Sequence, residues 1–192
     1  MTAKPKVRPW VVAVAIALAA ETLIAIDVKV DFDKAFDFKG VKTWGWNPEV
    51  RGYVKMARTP QDDPDAMQKH TEPIIVSAVE AEMGKRNLQF TSHSPDVLVT
   101  YYLLLTLGTN AQTIGQFLPS VTQWGVPPFV ASTQSIEMVN HGSLVLDFTA
   151  KKDVIWRGVA QSNIKVDTDM KRREALIREA VRDLVRRFPP RS

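Results

Sequence analysis

The sequence predicts an α+β fold, with a mostly antiparallel sheet of about five strands and two amphipathic helices packed on one face. Two observations support this class. Several segments alternate apolar and polar residues, or are continuously apolar, and are separated by turn residues, which is typical of strands. Two other segments repeat apolar residues at helical spacing. The predicted order is β-β-α-β-β-β-α, preceded by an apolar leader or anchor helix.

The first 25 residues differ in composition from the rest of the chain. Three basic residues precede an uninterrupted apolar run at 10–20, and Ala17-Leu18-Ala19 offers a small-residue cleavage site. These are the parts of a secretory signal. The run is shorter than the roughly 20 residues that a transmembrane helix needs. An uncleaved anchor over 10–26 and a buried core helix are the alternatives. We expect residues 1–25 to be a signal peptide or N-terminal membrane anchor, and 26–192 to form a single domain.

Charge and cysteine content exclude several classes of protein. The chain has 25 basic and 21 acidic residues, and removal of 1–19 would remove three basic residues and no acid. The remaining 22 and 21 nearly cancel, so we expect no nucleic-acid binding. The chain has no cysteine, which excludes disulfides, thiolate chemistry and lipidation of a lipobox cysteine.

The first two strands are predicted from alternation and turns. Residues 26–33 place apolar side chains on one face and Asp or Lys on the other, as in a half-buried strand. A second strand is predicted over 41–46, after the turn-like 38–40. Residues 46–66 contain three prolines and a run of acids at 62, 63 and 65, so we expect a solvated loop there.

The next elements follow from apolar spacing. A helix is predicted over 72–86, capped by Thr71 with Pro73 in its first turn, and Asn87 suits the left-handed residue that ends many helices. Residues 96–107 are apolar on both faces and predict a central, covered strand.

The last part of the domain is predicted as a hairpin and a helix. Residues 132–149 predict a long strand or a broken pair with a bulge at 140–142, and 154–164 its partner across a turn at 150–153. The last helix is predicted over 169–188. Its apolar face comprises Ile177, Ala180, Val181, Leu184, Val185 and Phe188.

The segment 108–131 fits none of these elements. It joins two strands and contains glycines, prolines and many large apolar residues, but not one charged residue. A loop of this length is usually functional or disordered, and its apolar content disfavours disorder. It is either a flap that completes the core or an exposed apolar surface for a partner or lipid interface. The candidate contact residues are Phe117, Leu118, Trp124 and Phe129.

No pattern in the sequence indicates catalysis. His70, His93 and His141 are far apart and lack the spacing of metal ligands. Phosphate-binding, dinucleotide-binding and nucleophile-elbow motifs are missing from the sequence. Trp44 and Trp46 share one face of a strand, as expected for packing in the sheet. We therefore expect no catalytic residue, no cofactor and no metal.

Several motifs resemble one known family in their order. They are the acidic strand at 28–33, Lys42-Thr43-Trp44-Gly45-Trp46, Pro95 to Tyr101, Gly142 to Asp147, Val154 to Gly158, and the Arg-rich helix that ends in Phe188-Pro189-Pro190. Together they resemble the domain of unknown function 4136 family over about residues 28–190. The resemblance implies a bacterial envelope location, often with a lipobox cysteine before the first strand; Glu21 stands there in this chain. It implies no catalytic residues.

These observations predict a non-enzymatic accessory or binding protein of the bacterial cell envelope. We expect it in the periplasm or at the outer face of the inner membrane, where it would bind an envelope protein or a lipid surface. The alternative is an envelope hydrolase whose site is dispersed along the sequence.

Overall fold

The computed structural model of the chain describes residues 26–56, 63–105, 112–113, 137–138, 141–163 and 169–188. It confirms the α+β class. The main sheet comprises β1 (Ile26–Phe32), β2 (Thr43–Trp46), β3 (Gly52–Met56), β4 (Gln89–Phe90), β5 (Val97–Leu105), β8 (His141–Ala150) and β9 (Asp153–Asn163). The helices are α1 (Pro64–Lys85) and α2 (Met170–Val185). Strands β6 (Gln112–Thr113) and β7 (Glu137–Met138) pair separately.

The sheet is mixed, so the prediction of a mostly antiparallel sheet of about five strands was wrong. Its order is β1-β9-β8-β5-β2-β4, and β3 also pairs with β5. The β1–β9, β9–β8 and β8–β5 pairs are antiparallel, whereas β2 and β3 pair with β5 in parallel. Helix α1 lies between β3 and β5 in the chain, and such a crossover returns the chain in the same direction. The parallel pairs therefore follow from the position of α1.

One strand was not predicted, and the first helix begins earlier in the chain than predicted. The loop predicted over 46–66 contains β3, and α1 starts at Pro64 rather than at residue 72. Asp63 caps the helix by accepting hydrogen bonds from two backbone N–H groups of the first turn. Thr71 lies inside the helix, where its hydroxyl donates to the Met67 carbonyl over 2.8 Å. Pro73 is therefore an interior residue, not a first-turn one.

The hairpin turn and the last helix lie where the sequence predicts them, but β8 begins at His141 and its described register irregularity lies between Phe148 and Thr149 instead of at the predicted 140–142. Strands β8 and β9 pair across a turn in which Lys151 and Lys152 have φ values of 51° and 79°. Asp169 caps α2 by accepting from the Arg172 N–H. Asn87 has a φ of 59°, as predicted for the end of the first helix. The predicted leader or anchor helix falls in residues 1–25, outside the described residues. Within the described part of the chain, neither helix is long and apolar enough to cross a membrane.

One face of the sheet packs against both helices. Tyr101, Leu146, Phe148 and Trp156 on this face belong to one apolar cluster with the buried side chains of α1 and α2. Phe188, just after α2, stacks on Phe148 with ring centroids 3.8 Å apart. Aromatic rings therefore fill the end of the core that lies near the β8–β9 turn.

The other face of the sheet is also buried. Strand alternation places Tyr102, Leu104, Val145 and Val159 on it, and each of these side chains is at most 6% exposed. None of them belongs to the apolar cluster that includes the helices. This confirms the prediction that β5 is a central strand covered on both faces.

We predict opposite effects of an added methyl group at two glycines. In Gly158→Ala, the new Cβ would lie 2.7 Å from a methyl carbon of Leu184 and would also overlap the Trp156 ring. The free energy of unfolding should fall by about 1–3 kcal/mol, because this part of the core is too closely packed to take another methyl group. Gly84→Ala is the control. It adds a methyl to an open site within α1 and should raise stability by about 0.5–1 kcal/mol. Urea unfolding of both variants measures the difference, and equal stabilities would contradict the packing.

Candidate functional site

Five strands of the main sheet have one end in common. The strand registers place Met56, Leu105, Gly142, Ser162 and Ile26 in one row across the sheet. Both helices also begin at this end, because α1 follows β3 and α2 follows β9 in the chain. We call it the pocket end of the domain, because the sheet and the helices enclose a pocket there.

The pocket is apolar and narrow. The sheet contributes Leu103, Leu105, Leu144 and Ala160, α1 contributes Met67 and Ile74, and α2 contributes Leu176, Ile177 and Ala180. The space between atoms is about 610 Å³ including the mouth, but the centre of a water-sized sphere can move in only about 50 Å³ of it. One water needs about 10–15 Å³ on that measure. The pocket is therefore a slot a few atoms wide.

Small residues leave this space open. Gly142, Ala160 and Ala180 line the pocket, whereas at the opposite end of the same core Phe148, Trp156 and Phe188 are in contact. Because the two helices span both ends, large side chains at one end and small ones at the other leave the unfilled volume at the pocket end.

The polar residues of the pocket come from the first two turns of the helices and the end of β9. His70 of α1, Arg173 and Glu174 of α2, and Gln161 line it. Strand alternation places the Gln161 side chain on the opposite face of the sheet, where it donates to the Ser143 hydroxyl over 3.2 Å. Glu174 accepts from the Arg178 guanidinium at 2.9 and 3.0 Å. The lining thus contains the Glu174 carboxylate, the Arg173 guanidinium and the His70 imidazole.

The first turn of α2 is basic. Lys171, Arg172 and Arg173 follow the capping Asp169, and the turn contains no acid. The positive end of the helix dipole disfavours cations in a first turn by about 0.3–1 kcal/mol each. The side of the pocket formed by α2 therefore carries basic side chains next to the capping Asp169 carboxylate.

The sequence-predicted contact segment attaches to the domain at the pocket. The chain leaves β5 after Leu105 and re-enters the main sheet at β8, where Gly142 is the partner of Leu105. Both residues line the pocket. The candidate contact residues Phe117, Leu118, Trp124 and Phe129 themselves lie outside the described residues. Ile26, which lines the pocket and begins β1, is also where residues 1–25 join the domain.

A buried ion pair lies on the face of the sheet opposite to the helices. Two hydrogen bonds of 2.6 and 2.5 Å join the Arg157 guanidinium to the Asp147 carboxylate, and their side chains are 1% and 3% exposed. Burial alone would lower the pKa of Arg157, but the charge and hydrogen bonds of Asp147 outweigh it and the pKa is raised. The Arg157 guanidinium therefore keeps its charge in this buried position. Among the described residues, Nη1 of Arg157 has no hydrogen-bond partner.

A carboxylate at the start of β5 ties two parallel strands together. Asp96 accepts hydrogen bonds of 2.9 and 2.8 Å from the backbone N–H groups of Lys42 and Thr43, and one of 2.8 Å from the Thr43 hydroxyl. The Lys42 and Thr43 N–H bonds and the Thr43 hydroxyl stabilise the charged form, so the pKa of Asp96 is lowered. This contact holds the first residues of β2 against β5.

The other predicted positions do not form a site. His93 lies in an exposed loop beside the Ser92 hydroxyl, 3.0 Å away, whereas His70 lies at the pocket. His141 begins β8. In the described part of the chain, no three His, Asp or Glu side chains are placed to hold a metal ion. Trp44 is buried in the core as predicted.

Sequence reasoning missed both the pocket and the ion pair. The pocket takes its lining from β1, β5, β8, β9, α1 and α2, and no local pattern joins these elements. Asp147 and Arg157 were noticed only within family motifs. The signal that could have found them is a single acid and a single base in the otherwise apolar middle of two hairpin strands. Isolated charges there are expected to pair.

The fold and site together define an α+β domain with an apolar pocket at the end where its N-terminal and 106–140 segments attach. The chain belongs to the DUF4136 family, a domain of unknown function, whose sequence model matches residues 28–190. This confirms the resemblance. No curated protein matches the chain.

Several solved structures are similar to the chain. A DUF4136 family protein from Bacteroides thetaiotaomicron is 16% identical with a TM-score of 0.49, covering 85% of this chain and 96% of that one. A PelC dodecamer from Paraburkholderia phytofirmans is 7% identical with a TM-score of 0.43, covering 88% and 100%. A PDZ domain protein from Parabacteroides distasonis is 12% identical with a TM-score of 0.46; the match covers 88% of this chain but only 38% of that longer protein.

We predict that removing one partner of the buried ion pair lowers the free energy of unfolding far more than replacing both partners by apolar residues. Arg157→Met leaves the Asp147 carboxylate buried without a partner and should lower the free energy of unfolding by about 3–5 kcal/mol. Asp147→Leu combined with Arg157→Met removes both charges and should recover most of that loss. Arg178→Ala removes an exposed pair with Glu174 and should cost less than about 1 kcal/mol. Urea unfolding measures all three, and a single variant as stable as the double variant would contradict the prediction.

We predict a pH-dependent role for Asp96. Because its pKa in the folded state is lowered, its carboxylate stabilises the fold above the unfolded pKa of about 3.9. That stabilisation is lost as the pH falls through the folded pKa. Asp96→Asn should therefore lower the free energy of unfolding by about 1 kcal/mol at pH 7, and the difference from the wild type should shrink below about pH 4. Asp153→Asn, at an exposed turn, is the control. A pH-independent difference for Asp96→Asn would contradict the assignment.

Proposed function

We propose that this chain is a non-enzymatic accessory protein of the bacterial cell envelope, which binds an envelope protein or a lipid surface through its pocket end. One observation carries the proposal. The apolar pocket, the attachment of residues 1–25 and both attachments of the uncharged segment 108–131 lie at the same end of the domain.

The location follows from the composition of the N-terminus. A basic start followed by a short apolar run is the pattern of a segment that the export machinery recognises. The protein therefore acts in the periplasm or at the outer face of the inner membrane. If the run is retained as an anchor, Ile26 connects it directly to β1. The pocket end then faces the membrane, and the β8–β9 turn points away from it.

The contact surface follows from the segment 108–131. An uncharged stretch with this many large apolar residues suits a partner or a lipid interface. We assign the contact to Phe117, Leu118, Trp124 and Phe129. The segment that contains them leaves the main sheet after Leu105 and returns to it at β8, and both points are at the pocket end.

The experiment measures both the cleavage of the N-terminal segment and the binding of the domain to its target. The full chain is expressed in a bacterial host, and the mass of the protein from periplasmic and membrane fractions shows whether cleavage follows Ala19. A variant with Phe117, Leu118, Trp124 and Phe129 replaced by Ser should lose at least tenfold in binding to phosphatidylethanolamine–phosphatidylglycerol vesicles or in crosslinking to envelope proteins, since about 1.4 kcal/mol corresponds to tenfold.

The control replaces exposed apolar residues elsewhere. Tyr53 and Phe90 are 37% and 55% exposed, and replacing both by Ser should leave binding unchanged. Equal binding of the contact variant and the wild type would refute the assigned surface. Recovery of the protein from the cytosol with Met1 retained would refute the envelope location.

One observation favours the alternative, an envelope hydrolase. His70, Ser162 and Glu174 line the same pocket, and these residue types serve as base, nucleophile and orienting acid in hydrolases. In the structure Glu174 is paired with Arg178 instead. Hydrolysis of a p-nitrophenyl acyl ester that is lost in both His70→Ala and Ser162→Ala would establish the hydrolase and displace the accessory role.

A further inference from the structure

A second open space lies along the edge of the main sheet and shares no lining residue with the pocket. The centre of a water-sized sphere can move in about 630 Å³ of it, a size typical of ligand sites. It lies where β2 and β4 end. Residues from 46–51 and 90–95, together with Glu72 of α1 and Leu98 of β5, line it. We call this space the edge groove.

Strand β2 runs past the end of its outer neighbour β4. Strand β4 ends opposite Trp44, whereas β2 continues to Trp46. The Thr91 N–H donates to the Trp44 carbonyl over 2.9 Å, and on the other side of β2 the Asn47 N–H donates to the Val99 carbonyl over 3.0 Å. Backbone groups alternate in direction along a strand. The N–H and C=O of Trp46 therefore point away from β5, as those of Trp44 do, and toward the groove.

The outward backbone groups of Trp46 are open to an added strand. The chain turns away after β4, where the His93 N–H donates to the Thr91 hydroxyl over 3.1 Å. Within the described ranges, neither the N–H nor the C=O of Trp46 has a hydrogen-bond partner on this side. An extended polypeptide satisfies both groups, because one residue of an antiparallel strand can donate to and accept from the residue opposite.

The side chains of the edge groove favour an uncharged segment with apolar residues. Phe90 is 55% exposed. Its ring and that of Trp46 both contact Trp44, with centroids 5.2 and 5.5 Å from the Trp44 ring. The Arg51 guanidinium lies 3.6 Å from the Glu72 carboxylate, so the two charges of the groove offset each other. A charged segment would find its partner already engaged.

We propose that the edge groove binds an extended, uncharged segment of another polypeptide, which pairs with the backbone of Trp46 as an added strand and packs an apolar side chain against Phe90. In this mode of recognition the main-chain hydrogen bonds give affinity and alternate side chains give selectivity. The inference goes beyond the proposed function, because it adds a second contact surface that does not use the pocket end.

The test uses the full chain, purified as the host processes it, and a fluorescein-labelled peptide of sequence SVTFTVS with blocked ends. Fluorescence anisotropy measures its affinity. Alternate amides of a bound strand face the same way, so N-methylation of one alternate set should weaken binding at least tenfold, which is about 1.4 kcal/mol. N-methylation of the other set should leave the affinity unchanged. A loss with both sets or with neither would overturn the strand pairing, as would no binding of the unmethylated peptide at about 1 mM.

A pair of variants locates the site on the protein. Phe90→Ala should weaken peptide binding about fivefold, corresponding to about 1 kcal/mol. Tyr53→Ala is the matched control. Tyr53 is also an exposed aromatic residue of the main sheet, at 37% against 55%, but lies outside the lining of the groove; this variant should bind as the wild type does. Equal affinities of Phe90→Ala and the wild type would overturn the groove as the site.

The remaining outcomes separate this inference from the proposed function. Phe90→Ala should bind phosphatidylethanolamine–phosphatidylglycerol vesicles as the wild type does, which also shows that the variant folds. Peptide binding that survives replacement of Phe117, Leu118, Trp124 and Phe129 by Ser would support the groove as a separate site. Peptide binding that falls in that variant but not in Phe90→Ala would overturn the groove and leave the contact at the pocket end standing.

Discussion

The register of the β8–β9 hairpin determines which residues lie on each face of the sheet. It shifts between Phe148 and Thr149. Beyond this shift, Phe148 faces Trp156 on the helix side, and Asp147 faces Arg157 on the other. A slip of one residue would turn these side chains to the opposite faces. The ionic pair would then meet the apolar helices, and two aromatic side chains would leave the core. The packing of α2 and the buried ion pair therefore depend on the same irregularity.

Local patterns in the sequence were sufficient to predict the elements whose conformation depends mainly on their own residues. The alternation of β1, the β8–β9 hairpin and the apolar stripe of α2 were all predicted. Strand β3 is only five residues long, and the segment that contains it was read as a loop because of its prolines. Its own residues give no clear strand pattern, so its extended conformation depends on pairing with β5. The parallel pairs depend on contacts between residues far apart in the chain, which periodicity cannot reveal. The Asp147–Arg157 pair depends on the irregular register, which also has no local signature.

The two ends of the domain have different physical roles. At the end near the β8–β9 turn, Phe38, Phe148, Trp156 and Phe188 form a chain of ring contacts, and Asp96 fixes β2 to β5 there. This end is closed. At the other end, five strands begin or end in one row and both helices begin. The two segments whose composition differs most from the rest of the chain, 1–25 and 108–131, attach there. Segments attached at the end of a packed core can change without disturbing it.

The unfilled volume of the pocket lowers the stability of the folded domain. An unfilled volume of about 50 Å³ costs about 1 kcal/mol at roughly 24 cal/mol per Å³. One larger side chain in place of Ala160 or Ala180 would fill part of it without changing the polarity of the site. Domains are stable by only about 5–15 kcal/mol, so this loss is a sizeable fraction of the total. A ligand that fills the slot would recover that energy in the bound state.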